Sequence, residues 1–112
     1  MLKRAVFLGG TILFLVTFAQ AATLTWDYPT GAAVAKFRAY RLQSSECTNT
    51  ALFQPIGDIP SFSRTLVDNV PLPGLPYCYL VKAVDATGIE SPPSNVALFM
   101  LQLFTPTNLQ VK

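Results

Sequence analysis

The sequence contains no histidine among its 112 residues. Without an imidazole, the Ser-His-Asp and Cys-His systems of nucleophilic enzymes cannot be built, and zinc sites lose their commonest ligand. A glycine-rich phosphate loop is also missing, because the only adjacent glycines, Gly9 and Gly10, lie near the N-terminus. We therefore expect a protein that is not an enzyme and that uses no metal or other cofactor.

Charged side chains are scarce as well, at 12% of the residues. The acidic residues form no Asp-x-Asp cluster, so a calcium loop is not indicated. They lie beside turn-forming residues, which predicts solvated loop carboxylates; the alternative is that two of them meet in space as the acid pair of a small hydrolase. The acidic residues are Asp27, Glu46, Asp58, Asp68, Asp85 and Glu90.

Residues 1–21 have the pattern of a secretory signal peptide. Lys3 and Arg4 form a positive start, and Ala5–Phe18 form an apolar run. Ala19-Gln20-Ala21 has the small-x-small pattern of a cleavage site. A retained membrane anchor is the alternative, but a span needs ~20 apolar residues and this run is shorter.

Cleavage would leave a mature chain, Ala22–Lys112, in the periplasm or outside the cell. The full sequence carries 8 basic and 6 acidic residues, and two of the basic ones, Lys3 and Arg4, belong to the signal. The mature chain is therefore neutral and has no electrostatic footprint for nucleic acid or acidic membranes. We expect no nucleic-acid partner.

The sequence has two cysteines, Cys47 and Cys78. In an exported chain with no other thiol, a disulfide is the expected state. Closing a loop of about 30 residues would stabilise the fold by roughly 3–4 kcal/mol through its effect on the unfolded chain. A reactive free thiol is the alternative, but no histidine or cationic cluster supports it.

Prolines divide the mature chain into short segments rich in β-branched and aromatic residues, which predicts strands rather than helices. The strands are predicted at Thr23–Trp26, Ala35–Gln43, Leu52–Ile56, Arg64–Asp68, Tyr77–Val84 and Asn95–Phe104. The loops are predicted at Ser44–Asn49, Asp58–Ser63, Val70–Pro76 and Asp85–Pro93. The third strand contains Pro55, so we expect it at a sheet edge. This spacing predicts an all-β sandwich or barrel.

Alternation along the strands predicts the core. Leu24 and Trp26 share one face of the first strand, and threonines occupy the other. Trp26 is therefore interpreted as a core residue, with a sugar-stacking platform as the alternative. The predicted core consists of Leu24, Trp26, Phe37, Tyr77, Tyr79 and Val81.

These segments together resemble a fibronectin type III domain. Leu24-Thr25-Trp26 resembles the second strand of that family, and Phe37–Arg41 resembles the third. Pro73–Asp85 resembles its P-G-x-x-Y-x-Y-x-V-x-A-V-D stretch, and Gly88–Asn95 resembles the turn into its last strand. Among relatives, the sequence is most similar to short bacterial secreted versions.

The resemblance implies an immunoglobulin-like β-sandwich of about six to seven antiparallel strands over residues 22–104. It also implies that Tyr77 forms a tyrosine corner, in which its hydroxyl bonds back to the backbone.

The family's first strand has almost no residues to form it, because only Ala22 precedes Thr23 in the mature chain. The C-terminal segment 105–112, which includes Pro106-Thr107-Asn108-Leu109-Gln110-Val111, resembles that strand but lies at the opposite end. Three interpretations stay open. The segment begins a truncated further repeat, folds back along its own domain, or completes a neighbouring molecule by strand addition.

The last predicted strand is apolar on both faces, although an outer sheet face is usually polar. If alternate residues from Val96 to Met100 serve the core, the others face outward and, with the C-terminal segment, form an interaction surface. Cover by that segment or by the neighbouring strand is the alternative. The predicted interaction surface consists of Phe99, Leu101, Leu103, Leu109 and Val111.

The sequence thus predicts an exported module for binding or assembly, acting through contacts with another protein or with its own copies. A carbohydrate- or cell-surface-binding accessory domain is the alternative, with Tyr28 and Tyr40 as its candidate exposed aromatic residues and a surface glycan as its partner. The fold class alone does not choose between them.

Overall fold

The structure is a computed structural model that describes residues 21–102 and 105–112. The predictions for the charged and apolar parts of the signal, and for Leu103, lie outside these residues. The described residues form a short 3-10 helix at Thr50–Leu52 and six strands. The strands are β1 (Ala22–Thr25), β2 (Lys36–Leu42), β3 (Gln54–Pro60), β4 (Thr65–Asp68), β5 (Pro76–Val84) and β6 (Ala97–Met100).

The strands form two antiparallel sheets. β1 pairs with β4, and the other four strands are ordered β3-β2-β5-β6. The core lies between the sheets, where Phe37, Ala39, Ile59 and Val81 are buried and Leu24 packs against them. The all-β, immunoglobulin-like sandwich predicted from the sequence is confirmed.

Aromatic rings fill one end of the core. Trp26 and Tyr28 both meet Phe37 edge-on, with ring centroids 5.5 and 5.2 Å from its own. The guanidinium of Arg64 lies 4.8 Å from the centroid of the Phe37 ring, and Arg64 also donates to the carbonyl oxygens of Ser61 and Ser63. Trp26 is half-buried in this stack, which agrees with its interpretation as a core residue.

Strand β3 lies at a sheet edge, as Pro55 indicated, but it is longer than expected. The prediction of a loop at Asp58–Ser63 is wrong for its first three residues, which pair with β2 up to Pro60. Prolines are tolerated because an edge strand has one side on which no N–H is needed. A register shift places Gly57 opposite Ala39 and Pro55 opposite Tyr40, so the bulge falls between the two prolines.

Strand β6 is shorter than predicted, and the face that meets the core is the opposite of the predicted one. Phe99 pairs with Tyr77 and packs against Ala22 in the core, while Leu98 and Met100 are 70% and 54% exposed. The outward orientation expected for Phe99 is therefore wrong. Directly opposed residues of an antiparallel pair share a face, so the core-facing Tyr77 decides the orientation of Phe99.

The outer face of β5 carries a second small core. The loop after β2 folds across it, so that Phe53 and Leu80 are buried together. A disulfide joins Cys47 of this loop to Cys78 of β5, with Cα atoms 6.2 Å apart, within the usual range. The predicted disulfide is confirmed.

The turn before β5 is closed by Tyr77. The backbone N–H of Leu72 donates to the Tyr77 hydroxyl oxygen at 3.0 Å. This is the tyrosine corner implied by the family resemblance, and it connects β5 to the chain that arrives from β4.

Candidate functional site

The outer edge of β1 is the candidate functional site. β1 pairs with β4 on one side, and within residues 21–102 and 105–112 no strand pairs with its other side. Trp26 donates its backbone N–H to the carbonyl oxygen of Arg64 at 3.1 Å. Bonded and non-bonded residues alternate in an antiparallel ladder, so the peptide groups of Thr23 and Thr25 point away from β4, toward the outer edge.

A groove of about 550 Å³ runs along this edge. Its walls are β1 on one side and residues 94–99 on the other, and Tyr79 and Val81 contribute from β5. Leu24, Val81 and Phe99 supply the apolar part of its lining, and Thr23, Ser94 and Asn95 are among the polar residues that also line it. The volume lies in the range of ligand-binding clefts in proteins. The site thus combines backbone groups that no described strand pairs with and a partly apolar cavity beside them.

Trp26 contributes an unpaired polar atom to the same region. Its indole N–H is buried and has no hydrogen-bond partner among the described residues. A buried donor without an acceptor costs about 1–3 kcal/mol. Trp26 lines both the groove and a smaller adjacent pocket formed with residues 91–94.

The C-terminal segment 105–112 is exposed throughout and has no regular secondary structure. Leu109 and Val111 are 93% and 98% exposed. The backbone of Asn108 has a φ of 54°, in the left-handed region, which asparagine tolerates better than most residues. Of the predicted interaction surface, the structure therefore exposes Leu109 and Val111 and leaves Leu101 and Phe99 half-buried, with Phe99 packed against the core.

The two tyrosines expected to be exposed aromatics are instead half-buried, so that prediction is wrong. The Tyr28 ring packs on Phe37. The Tyr40 hydroxyl donates to Glu90, and the Lys82 ammonium lies 4.9 Å from the centroid of the Tyr40 ring. The contacts of Tyr40 were not predictable locally, because Lys82 and Glu90 lie more than 40 residues further along the chain.

Phe62, in the turn between β3 and β4, is the aromatic residue that sequence analysis missed. It is 87% exposed. The signal that could have found it is its position between two serines in a predicted loop.

A network of ion pairs covers part of the outer face of the four-stranded sheet. Arg38 pairs with Asp58 at 2.8 Å and with Glu90 at 2.9 Å. Lys36 also pairs with Asp58, and Lys82 with Glu90. The hydrogen bonds from Arg38 and Lys36 lower the pKa of Asp58 to about 2. Both carboxylates of the network are therefore engaged by basic side chains of the same molecule.

Asp68 is not the solvated loop carboxylate that the sequence indicated. It is 6% exposed, and it accepts hydrogen bonds from Arg41 at 2.8 Å and from the Tyr79 hydroxyl at 2.7 Å. Burial by itself would raise the pKa of Asp68, but the bonds from Arg41, Tyr79 and the backbone N–H of Val70 outweigh it and hold the pKa below its usual value. Asp68 therefore links the two sheets.

Within the described part of the chain, no three histidine, cysteine or acidic side chains are grouped so that they could hold a metal ion. The same part contains no helix long and apolar enough to cross a membrane.

Comparison with known proteins identifies the class of fold. No family profile and no curated protein matches the sequence. The structure is similar to an Fn3-like protein from Clostridium thermocellum, with a TM-score of 0.58, 23% identity, and coverage of 79% of this chain and 83% of that one. It is also similar to the chicken CNTN1 FN1-FN3 domains, with a TM-score of 0.63, 16% identity, and coverage of 79% of this chain and 29% of that one. The protein therefore has a fibronectin type III-like fold.

A third similar structure is a β-1,2-glucanase from Parabacteroides distasonis. Its TM-score is 0.62 at 21% identity, and the match covers 76% of this chain. The chain spans only 11% of the length of that enzyme. The likeness therefore concerns the fold of one part of the glucanase.

Proposed function

We propose that the protein is a non-catalytic binding module that recognises another protein chain through the outer edge of β1. The observation that carries this proposal is the outward orientation of the Thr23 and Thr25 peptide groups beside an apolar groove of about 550 Å³. A partner segment in extended conformation would pair with these groups and bury alternate side chains in the groove.

Strand addition suits this geometry for two physical reasons. Backbone hydrogen bonds to an open edge supply affinity that depends little on sequence, and pockets for alternate side chains supply specificity. A carbonyl of the incoming strand would also offer an acceptor near the Trp26 indole N–H, which has none in the described residues. An open edge left without a partner is an aggregation hazard, which supports its use as a binding surface.

The charged groups support a non-catalytic role. Asp58, Asp68 and Glu90 each accept hydrogen bonds from arginine side chains, and these bonds favour their ionised forms. A general acid of a hydrolase needs the opposite, a raised pKa. The carbohydrate-binding alternative has less support, because Tyr28 and Tyr40 are engaged in contacts within the molecule.

Export is part of the proposal, supported by the disulfide, which is typical of oxidising compartments. We expect the full chain, expressed in a bacterium from Met1, to be recovered with Ala22 as its first residue. The mass of the purified protein, measured by mass spectrometry, shows which residue is its first. The Ala21→Leu variant should retain the signal because the last position before cleavage requires a small residue, whereas Gln20→Leu should be processed normally. Recovery of intact wild-type protein that begins at Met1 would contradict the proposal.

The edge itself is tested by peptide selection. Eight-residue peptides displayed on phage and selected against the protein should show alternating apolar residues. Thr23→Pro should weaken their binding about tenfold or more, since it removes an outward N–H and places a ring in the path of the strand. Val67 lies directly opposite Thr23, and Val67→Pro is the matched control because it removes an N–H from the far edge of β4.

Melting curves first show whether each variant is folded. Calorimetric titration then measures the affinity of both variants for a selected peptide. No selection of peptides, or equal binding by the Thr23→Pro variant, would overturn the assignment of this edge as the interface.

A further inference from the structure

We propose that the strand that fills the β1 groove is the C-terminal segment 105–111 of a second copy of this chain. This inference rests on the proposed function, because it names the partner of the same edge. Each copy would then accept one tail and donate its own.

The tail has the side-chain pattern that the groove requires. Leu109 and Val111 are two residues apart, so in an extended strand they point to the same side, and Gln110 points to the other. Both apolar side chains are more than nine-tenths exposed, although burial of such side chains is favourable. Paired with β1, they would enter the apolar groove while Gln110 faced solvent.

The direction of the chain makes its own tail a poor occupant. Residues 91–94, which precede β6, line a small pocket with Trp26 and Asp27, whereas Phe99 packs beside Ala22. β6 therefore runs opposite to β1 and delivers the chain at the Ala22 end. Every strand pair among the described residues is antiparallel, and a strand that pairs with β1 in the same way must enter at the other end.

The chain between β6 and its own C-terminal segment is too short to carry that segment back to the Trp26 end of β1. The Leu101 carbonyl oxygen accepts a hydrogen bond from the backbone N–H of Gly74 at 2.8 Å, which ties the chain at the Ala22 end. The four steps from Leu101 to Thr105, the first residue of the segment, span at most ~14 Å when fully extended. That is less than the ~17 Å from Ala22 to Asp27, with nothing left for a turn. The tail of a second copy can approach from the open end without this restriction.

Such an exchange is a head-to-tail contact, because the donated tail and the accepting groove are different surfaces of the same chain. Contacts of this kind build rings or open chains rather than two-fold dimers alone. The predicted assembly therefore grows with concentration, and single copies are retained when either surface is blocked.

The first test is light scattering on the full chain, expressed from Met1 and purified as the cell leaves it. The average mass should rise with concentration well above that of one copy. The variant carrying Leu109→Asp and Val111→Asp should remain a single copy, since its charges cannot enter an apolar groove. Gln110→Asp is the matched control and should assemble like the wild type, because its side chain faces solvent.

The second test mixes two blocked variants. Thr23→Pro keeps a competent tail but has a damaged edge, and the doubly substituted tail variant keeps a competent edge. Each should be a single copy when alone, and an equal mixture should yield a complex of about twice that mass and nothing larger. Thr25→Pro replaces Thr23→Pro if melting curves show that the latter is unfolded.

The results separate this inference from the proposed function. A wild-type protein that stays a single copy, or an assembly that survives the doubly substituted tail, overturns the self-donation. If selected peptides still bind in a Thr23-dependent manner, the binding edge stands and the partner is another protein. If they do not bind, both proposals fail.

Discussion

The single substitution Cys47→Ala should lower the melting temperature by on the order of 15–25 °C. The bridge spans 31 residues, and its loss releases about 3–4 kcal/mol of constraint on the unfolded chain. It also frees the loop that covers Leu80, so part of the second core becomes accessible to water. Cys47 is the better site to replace, because Cys78 is fully buried and its removal would add a cavity.

Thermal denaturation, monitored by circular dichroism, measures the change in melting temperature. Treatment with reductant should lower the melting temperature of the wild type by a similar amount and leave Cys47→Ala unchanged. A wild-type melting curve that is the same with and without reductant, once mass spectrometry confirms reduction, would show that the bridge contributes nothing to stability.

Asp68→Asn should destabilise the fold by about 2–4 kcal/mol at neutral pH, since it breaks a largely buried charge pair. Both carboxylate oxygens accept hydrogen bonds, so the amide NH2 group must face at least one donor. The matched control is Asp58→Asn. Asp58 lies in an ion-pair network at the surface and is 43% exposed, so its replacement should cost no more than about 1 kcal/mol. Urea denaturation of both variants measures the difference.

The Asp68 contribution also depends on pH in a defined direction. The folded pKa of Asp68 is lowered, so its stabilisation is present above the unfolded pKa of about 3.9 and is lost as pH falls through the folded value. The difference between wild type and Asp68→Asn should therefore be constant near neutral pH and shrink below about pH 4. A difference that stays constant to pH 2 would show that the charge of Asp68 is not what stabilises the fold.

Local patterns in the sequence predicted several features that the structure confirms. Alternation in β5 assigned Tyr77, Tyr79 and Val81 to one face, and all three are buried in the sandwich. Two cysteines in a chain with an apparent export signal predicted the Cys47–Cys78 bridge. The alternation in β5 can be seen within a few neighbouring residues. The disulfide follows from residue type, because the sequence has two cysteines that can pair only with each other.

Local alternation did not predict which face of β6 meets the core. Alternation shows that Phe99 and Leu101 share a face, and that Leu98 and Met100 share the other, but not which face meets the core. The pairing of Phe99 with Tyr77 decides this. The same limit applies to Asp68, whose partners Arg41 and Tyr79 approach from the opposite sheet.

By itself, then, the sequence determined most of the short strands and the disulfide, because period-two alternation, turn chemistry and cysteine count are local features. The fibronectin type III-like fold was implied by the resemblance of several segments to that family. The tertiary structure decided which faces are buried, which polar groups meet, and that a groove lies beside the edge of β1 with which no described strand pairs. Those features depend on strand register and on contacts between distant segments, which no local pattern encodes.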